Sequence, residues 1–326
     1  MAAYERKIRG VLREPRTIRS AQTTGIFCLL GALCFLSASD SIIKWLSPTY
    51  ALHEIMLVRA LVALPVTLFF MQLEGGFRNL YTRHLGLHIV RGLFLVLANM
   101  CFFLGLATMP FAEAVSLFFV APLFISALSY WVLRETVGLV RWIAVSVGLV
   151  GVVVVLRPGF GMVTLTGVLP LFAALAYACM QILTRRLGAG DKASTLAFYI
   201  QAMFIVVSAT IGVSIGDGRF GDTENPTLAF LVRAWTWPAY SDWILLGGCG
   251  LLVACGGYLI SQAYRLAQAA VVAPFEYATL PFALFWGYQL WGDWPDTVTF
   301  IGSALIVGSG LFVLSYEIRR ARTADS

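Results

Sequence analysis

The sequence predicts an all-α polytopic membrane protein whose ten transmembrane helices form two inverted five-helix repeats. Three observations predict it. First, 59% of the 326 residues are hydrophobic and only 12% are charged, with a mean hydropathy of +0.82. A soluble domain has roughly 45–50% apolar and about 25% charged residues, so lipid is the solvent that this composition suits. Second, the apolar residues gather into runs long enough to cross a hydrocarbon core about 30 Å thick. Third, two distant stretches of the chain repeat one another.

The ten predicted spans are 23–46, 53–72, 87–108, 111–133, 140–156, 165–186, 193–215, 242–264, 269–291 and 297–316. The first follows a basic arm, residues 1–22, and is too long for the apolar region of a cleaved signal, so it reads as a retained helix. Met109-Pro110 turns the chain between spans three and four, and Arg157-Pro158-Gly159 ends span five. The long loop at 216–241 becomes aromatic toward its end (Trp235, Trp237, Tyr240). It is expected on the membrane surface, with Trp243 at the interface.

The basic residues give the spans a direction. With the N-terminus inside, 17 of the 23 Lys and Arg fall in inside segments and three (Arg157, Arg219, Arg233) outside. The positive-inside rule then puts both termini in the cytoplasm and the protein in the inner membrane. The net charge of +6 is explained by topological anchoring and not by nucleic-acid binding. Six cysteines, all in apolar runs and none in a CxxC pair, suggest neither a disulfide framework nor a metal site. No cofactor is expected.

The stretch AEAVSLFFVAPLFISALSYWVLRE from Ala112 parallels AAVVAPFEYATLPFALFWGYQLWGD from Ala269, and Pro122 aligns with Pro281. Five spans per copy is odd, so the second copy enters from the opposite face. The expected units are a first repeat at 23–158, a second at 159–316 and a tail at 317–326. These paired stretches, Arg157-Pro158-Gly159 and GGYLISQAYRLAQAAVVAPFEY from Gly256 resemble the EamA branch of the drug/metabolite transporter superfamily. Within it they resemble the bacterial riboflavin-transporter-like and S-adenosylmethionine-transporter-like members. The resemblance implies a secondary carrier of small organic metabolites. It also implies a central cavity among spans one to four and six to nine, with spans five and ten peripheral at a possible homodimer contact. The other expected partner is membrane lipid.

Polar groups at bilayer depth are costly and mark candidate sites. Asp40 and Lys44 share a face of span one at i,i+4, where the alternative is a structural ion pair with Lys44 snorkelling outward. Arg59 on span two is a substrate or Asp40 partner; Glu54 is poorly spaced for it. Asn99 and Ser116 are candidate lining groups. Arg91 reads first as an interfacial anchor, and Glu113 as solvated near the outer mouth. Glu276, in Pro274-Phe275-Glu276-Tyr277, is the candidate proton-coupling carboxylate, or else the partner of Arg91 or Arg265. Tyr177, Gln181, Tyr258, Tyr264 and Tyr277 supply polar tips on apolar bodies and complete the substrate-binding candidates. The sequence lacks the clustered Asp or His motifs of a membrane-embedded lipid or prenyl transferase, and the continuous polar stripe of a channel. Neither an enzyme nor a channel-like subunit is the preferred reading.

Overall fold

A computed structural model describes residues 14–133, 139–156, 165–187, 192–221, 225–266 and 273–324. Every regular element among them is helical. In chain order they are α1 (Glu14–Leu46), α2 (Leu52–Leu73), a short 3₁₀ turn (Phe77–Leu80), α3 (Leu85–Leu106), α4 (Phe111–Phe118) and α5 (Ala121–Leu133). Then come α6 (Leu139–Leu156), α7 (Leu165–Leu187), α8 (Ala193–Ile215), α9 (Pro226–Val232) and α10 (Tyr240–Leu266). A 3₁₀ segment (Ala273–Ala278), α11 (Thr279–Trp291) and α12 (Thr297–Ala324) complete the chain.

Among the described residues, six stretches are long and apolar enough to cross a membrane: Thr23–Leu46, Leu52–Leu73, Leu85–Leu106, Gly167–Thr184, Ser194–Ile215 and Tyr240–Ala263. Shorter apolar helices run over Phe111–Ile125, Trp142–Val155 and Thr297–Phe312. Two predicted spans are interrupted. The fourth is divided between α4 and α5, and the ninth is 3₁₀ before it becomes α11. Each interruption falls beside a proline, which lacks an N–H and fits best in the first turn of a helix, although Pro65 and Pro170 lie inside α2 and α7 without breaking them. Accordingly α5 starts one residue before Pro122, and α11 two residues before Pro281.

The loop at 216–241, expected on the membrane surface, is partly helical and partly packed into the bundle. It contains α9, whose Asn225 side chain caps it by accepting from Thr227 N and Leu228 N. Phe230 of α9 is fully buried in the core. Phe230 anchors the segment to the bundle, while Trp237 and Tyr240 stay exposed.

The most extensive helix contacts are α1 with α10, α3 with α7, α6 with α12, and α2 with α8. Next come α2 with α10, α5 with α7, α3 with α8, α4 with α11 and α1 with α11. Glycine sets two of these approaches. A Cβ on Gly151 would lie 2.8 Å from the Gly302 carbonyl, so α6 and α12 touch through their backbones. A Cβ on Gly250 would lie 2.8 Å from the Arg59 carbonyl, so α10 is seated on α2 at the level of that arginine.

Candidate functional site

Helix α1 sorts its side chains by face. Phe27, Cys34 and Trp45 are exposed and lie seven and eleven residues apart, close to whole helical turns. Asp40 lies on the other side of the helix, and Ser37 and Ser41 near it are buried. Arg59 of α2 is the opposite charge that acts on Asp40. Its guanidinium carbon lies 4.9 Å from the ring centroid of Phe204 on α8. Cys249 of α10 also borders Arg59, and its thiol shares a 3.1 Å hydrogen bond with the Ser39 hydroxyl. Four helices thus bring a carboxylate, a guanidinium, a thiol and a phenyl ring to one level.

The two charges do not satisfy one another directly. Among the described residues neither Asp40 nor Arg59 makes a hydrogen bond or a salt bridge, and Arg59 Nε is buried without a partner. Glu54, too far along α2 to pair with Arg59, instead accepts from Thr236 N at 3.3 Å.

A second polar group joins α3, α7 and the 3₁₀ segment. Arg91 Nε donates to Thr184 Oγ1 at 2.8 Å, and Arg91 is 6% exposed. This corrects the expectation of an interfacial anchor: Arg91 is held inside by a neighbouring helix. Gln181 donates to the Tyr177 hydroxyl at 2.7 Å. Arg91 and Glu276 both act on Tyr177, and Glu276 acts on Tyr277 as well. The Tyr277 hydroxyl is buried against Gly310 of α12.

The remaining candidates scatter. Lys44 Nζ donates to the Met109 carbonyl at 2.6 Å and lies 4.9 Å from the Trp291 ring centroid, with Asp293 and Glu113 as nearby charges. That places it near a cavity of about 430 Å³ lined in part by Glu113, Asp293, Asp296 and Thr299. Asn99 donates to Leu95 O within its own helix at 3.1 Å, the local answer to its polarity. Ser116 accepts from Ser303 at 2.7 Å and so ties α4 to α12. Tyr258 stacks on Phe70 at 4.2 Å and accepts from Gln262 at 2.8 Å, toward the far end of α2. Tyr264 lies on α10, and its side chain, like that of Arg265, is outside the described residues.

Two polar ties that sequence reasoning missed hold the ends of α2. At its C-terminus, Glu74 accepts from Ser194 N at 3.2 Å and from Gln262 at 3.1 Å, while Lys192 donates to its carbonyl. A carboxylate is misplaced at the C-terminus of its own helix, and that was the available signal. It is well placed at the N-terminus of α8, where Ser194 lies. At the other end, Tyr50 donates to Asp242 at 2.6 Å, and Arg233 donates to the Ser47 and Tyr50 carbonyls at 3.0 and 3.3 Å. The hydrogen bond to Asp242 pushes the Tyr50 phenol above its ordinary pKa.

Residues 23–157 match the model of the EamA-like transporter family. Over that stretch the chain is similar to EamA-like transporters. Along most of its length it is similar to the riboflavin transporter of Vibrio cholerae, at 27% identity over 90% of this chain and 96% of that one. It is also similar to the S-adenosylmethionine uptake transporter of Rickettsia conorii, at 26% identity over 90% and 93%. The pseudopaline exporter CntI of Pseudomonas aeruginosa is 24% identical over 87% and 93%. A solved crystal structure, 18% identical, covers 92% of this chain and 98% of its own with a TM-score of 0.63, which speaks for the fold. The match over residues 23–157 and the long apolar helices make the chain a multi-pass membrane protein, and the relatives it resembles are named as transporters.

Proposed function

We propose that this protein is a secondary carrier that moves a small organic metabolite across the bacterial inner membrane by alternating access. Its two moving parts are residues 23–158 and 159–316, entering the membrane from opposite faces, with both termini cytoplasmic.

The observation that carries this reading is the pattern of helix packing. Exchange α1 with α7, α2 with α8, α3 with α10, the α4–α5 pair with the 3₁₀ segment and α11, and α6 with α12. The α1–α10 contact then becomes α7–α3, α2–α10 becomes α8–α3, and α1–α11 becomes α7–α5; all three are major contacts. The α2–α8, α6–α12 and α4–α11 contacts map onto themselves. A pseudo-two-fold axis in the membrane plane produces such a pattern, and it lets the two halves exchange inward- and outward-facing shapes. The paired interruptions before Pro122 and Pro281 obey the same exchange.

In this reading Asp40 and Arg59 form the core of the cargo site. The Arg91–Tyr177–Gln181–Glu276 group is a second polar station, with Glu276 as the proton-coupling carboxylate. Lys44 and the acidic outer mouth guard one entrance. Asn99 and Ser116, already bonded within the fold, are demoted to structural roles, and Tyr258 is placed at the cytoplasmic closure.

The relatives' names supply the first cargoes to try: riboflavin, S-adenosylmethionine and pseudopaline. Purified protein in liposomes should give saturable uptake of one of them, accelerated by the same compound preloaded inside. That counterflow requires a site that reorients while loaded. Linear, unsaturable flux would overturn the carrier reading in favour of a channel.

A further inference from the structure

We infer that the cleft between α4, α11 and α12 is a lipid site that seats one phosphatidylethanolamine, with an acyl chain in its apolar part and the ammonium among Glu113, Asp293 and Asp296. The inference goes beyond the carrier reading, which uses the same mouth only as an entrance, and does not depend on it.

Consecutive helices joined by a short turn usually pack side by side. Here α11 and α12 are joined through residues 292–296, yet among the described residues they barely touch. Helix α12 goes instead to α6, where Gly151 and Gly302 let the backbones meet, and α11 goes to α4 and α1. The space left over is an apolar cavity of about 130 Å³, walled by Ala112 of α4, Leu280 and Leu284 of α11, and Phe300, Ala304 and Val307 of α12. Ser116 and Ser303 also line it, but their hydroxyls are spent on each other and on the Ala112 and Thr299 carbonyls. Phe300 and Ala304 are exposed, so the slot opens to the hydrocarbon around the bundle. An empty slot forfeits dispersion contacts on one side, and an acyl chain is what the surroundings offer to fill it. Lipid tails are as apolar as leucine, so the slot itself gives little preference among lipids.

The preference comes from the cavity of about 430 Å³ that continues the slot, with Ala112 and Pro295 shared between the two. Among the described residues, Glu113, Asp293 and Asp296 line it and no lysine or arginine does. Lys44 keeps its ammonium on the Met109 carbonyl and over the Trp291 ring. Trp294, which also lines the cavity, and Tyr288 are exposed and meet edge to face with centroids 6.1 Å apart. Such residues mark the depth of lipid head groups. Thr299 in the polar cavity and Val307 in the apolar slot are separated by about 12 Å along α12. The order is therefore head group, then chain. Three carboxylates repel an anionic head. A primary ammonium brings them three N–H donors and charge-assisted bonds, whereas a choline head brings no N–H at all.

The test is native mass spectrometry of the purified, delipidated full-length protein. Phosphatidylethanolamine, phosphatidylcholine and phosphatidylglycerol with identical tails are titrated in turn. One phosphatidylethanolamine is expected to bind with an apparent Kd roughly tenfold below the other two. Glycerophosphoethanolamine, the same head without tails, should not displace it at equal concentration. Glu113→Gln/Asp293→Asn should level the three head groups. Asp296 is left in place because it caps α12 by accepting from Thr299 N at 3.0 Å. Ala304→Trp, at an exposed position on the slot wall, should remove the bound lipid with the carboxylates intact.

Equal affinity for the three lipids, or tightest binding of phosphatidylglycerol, would overturn the inference. Displacement by glycerophosphoethanolamine would make this a site for a soluble amine and overturn it too, as would a preference that survives either variant. The head-group series needs no variant to fold, so it stands alone. Counterflow is not among these readouts, and failure of the carrier reading leaves this site untouched.

Discussion

Arg59→Gln alone is expected to cost the protein both stability and transport, and adding Asp40→Asn should return only the first. Arg59 is almost fully buried, between the Asp40 charge and the Phe204 ring. Removing one member of a buried opposite pair leaves an uncompensated charge, at a cost of about 3–5 kcal/mol. The single variant should therefore show a lower Tm and a poor yield of monodisperse protein in detergent. In the double variant no buried charge is left alone, and near-normal stability is expected. Transport should stay depressed in both, by roughly 10- to 100-fold, the worth of a lost charge-assisted hydrogen bond. Size-exclusion profiles and initial uptake rates measure the two effects separately. Full transport in the stable double variant would make the pair purely structural.

Glu276→Gln is expected to abolish acceleration of uptake by an imposed pH gradient while leaving cargo exchange intact. Glu276 sits in the 3₁₀ segment that precedes α11, and its charge bears on Tyr177 of α7 and on Tyr277. A 3₁₀ turn inside a membrane helix is a local departure from the regular ladder and often marks a functional hinge. A carboxylate placed there can gain and lose a proton as its surroundings alternate. The amide keeps the shape and some of the hydrogen bonding but cannot carry the proton. Exchange needs only a reorienting site, so it should survive. Gradient-driven uptake at the normal rate in this variant would remove Glu276 from the coupling step.

Much of this architecture was readable from residue order, because membrane physics imposes a simple code. Apolar runs gave helices, and Pro122 and Pro281 each lie beside a place where regular α-helix is interrupted. Asp40 and Arg59 were readable as candidates because charge at depth is rare. Their direct bonding was not, since two residues on different helices can sit in one neighbourhood without touching. Arg91 was misjudged because one helical turn of depth looks interfacial along the sequence. Thr184, 93 residues away, is what draws it inward. Asn99 illustrates the opposite error: a polar residue at depth can be satisfied by its own helix at i−4. Glu74 and Tyr50 were passed over as connecting-loop residues, and their bonds depend on which helix ends the bundle gathers. Those bonds tie α2 to α8 and α10 at one end and to the 216–241 segment at the other.

Alternation requires these ties to break in turn, which makes Cys249 the decisive reporter. Its side chain is fully buried beside Arg59 in this structure. The measurement is the labelling of a variant that keeps only Cys249, with Cys28, Cys34, Cys101, Cys179 and Cys255 replaced by alanine. A membrane-impermeant thiol reagent is applied to intact spheroplasts and, separately, to inside-out vesicles. Labelling from both faces, slowed by a transported cargo, is the predicted result. Labelling from one face only, at a rate the cargo leaves unchanged, would contradict a site that alternates between the two sides.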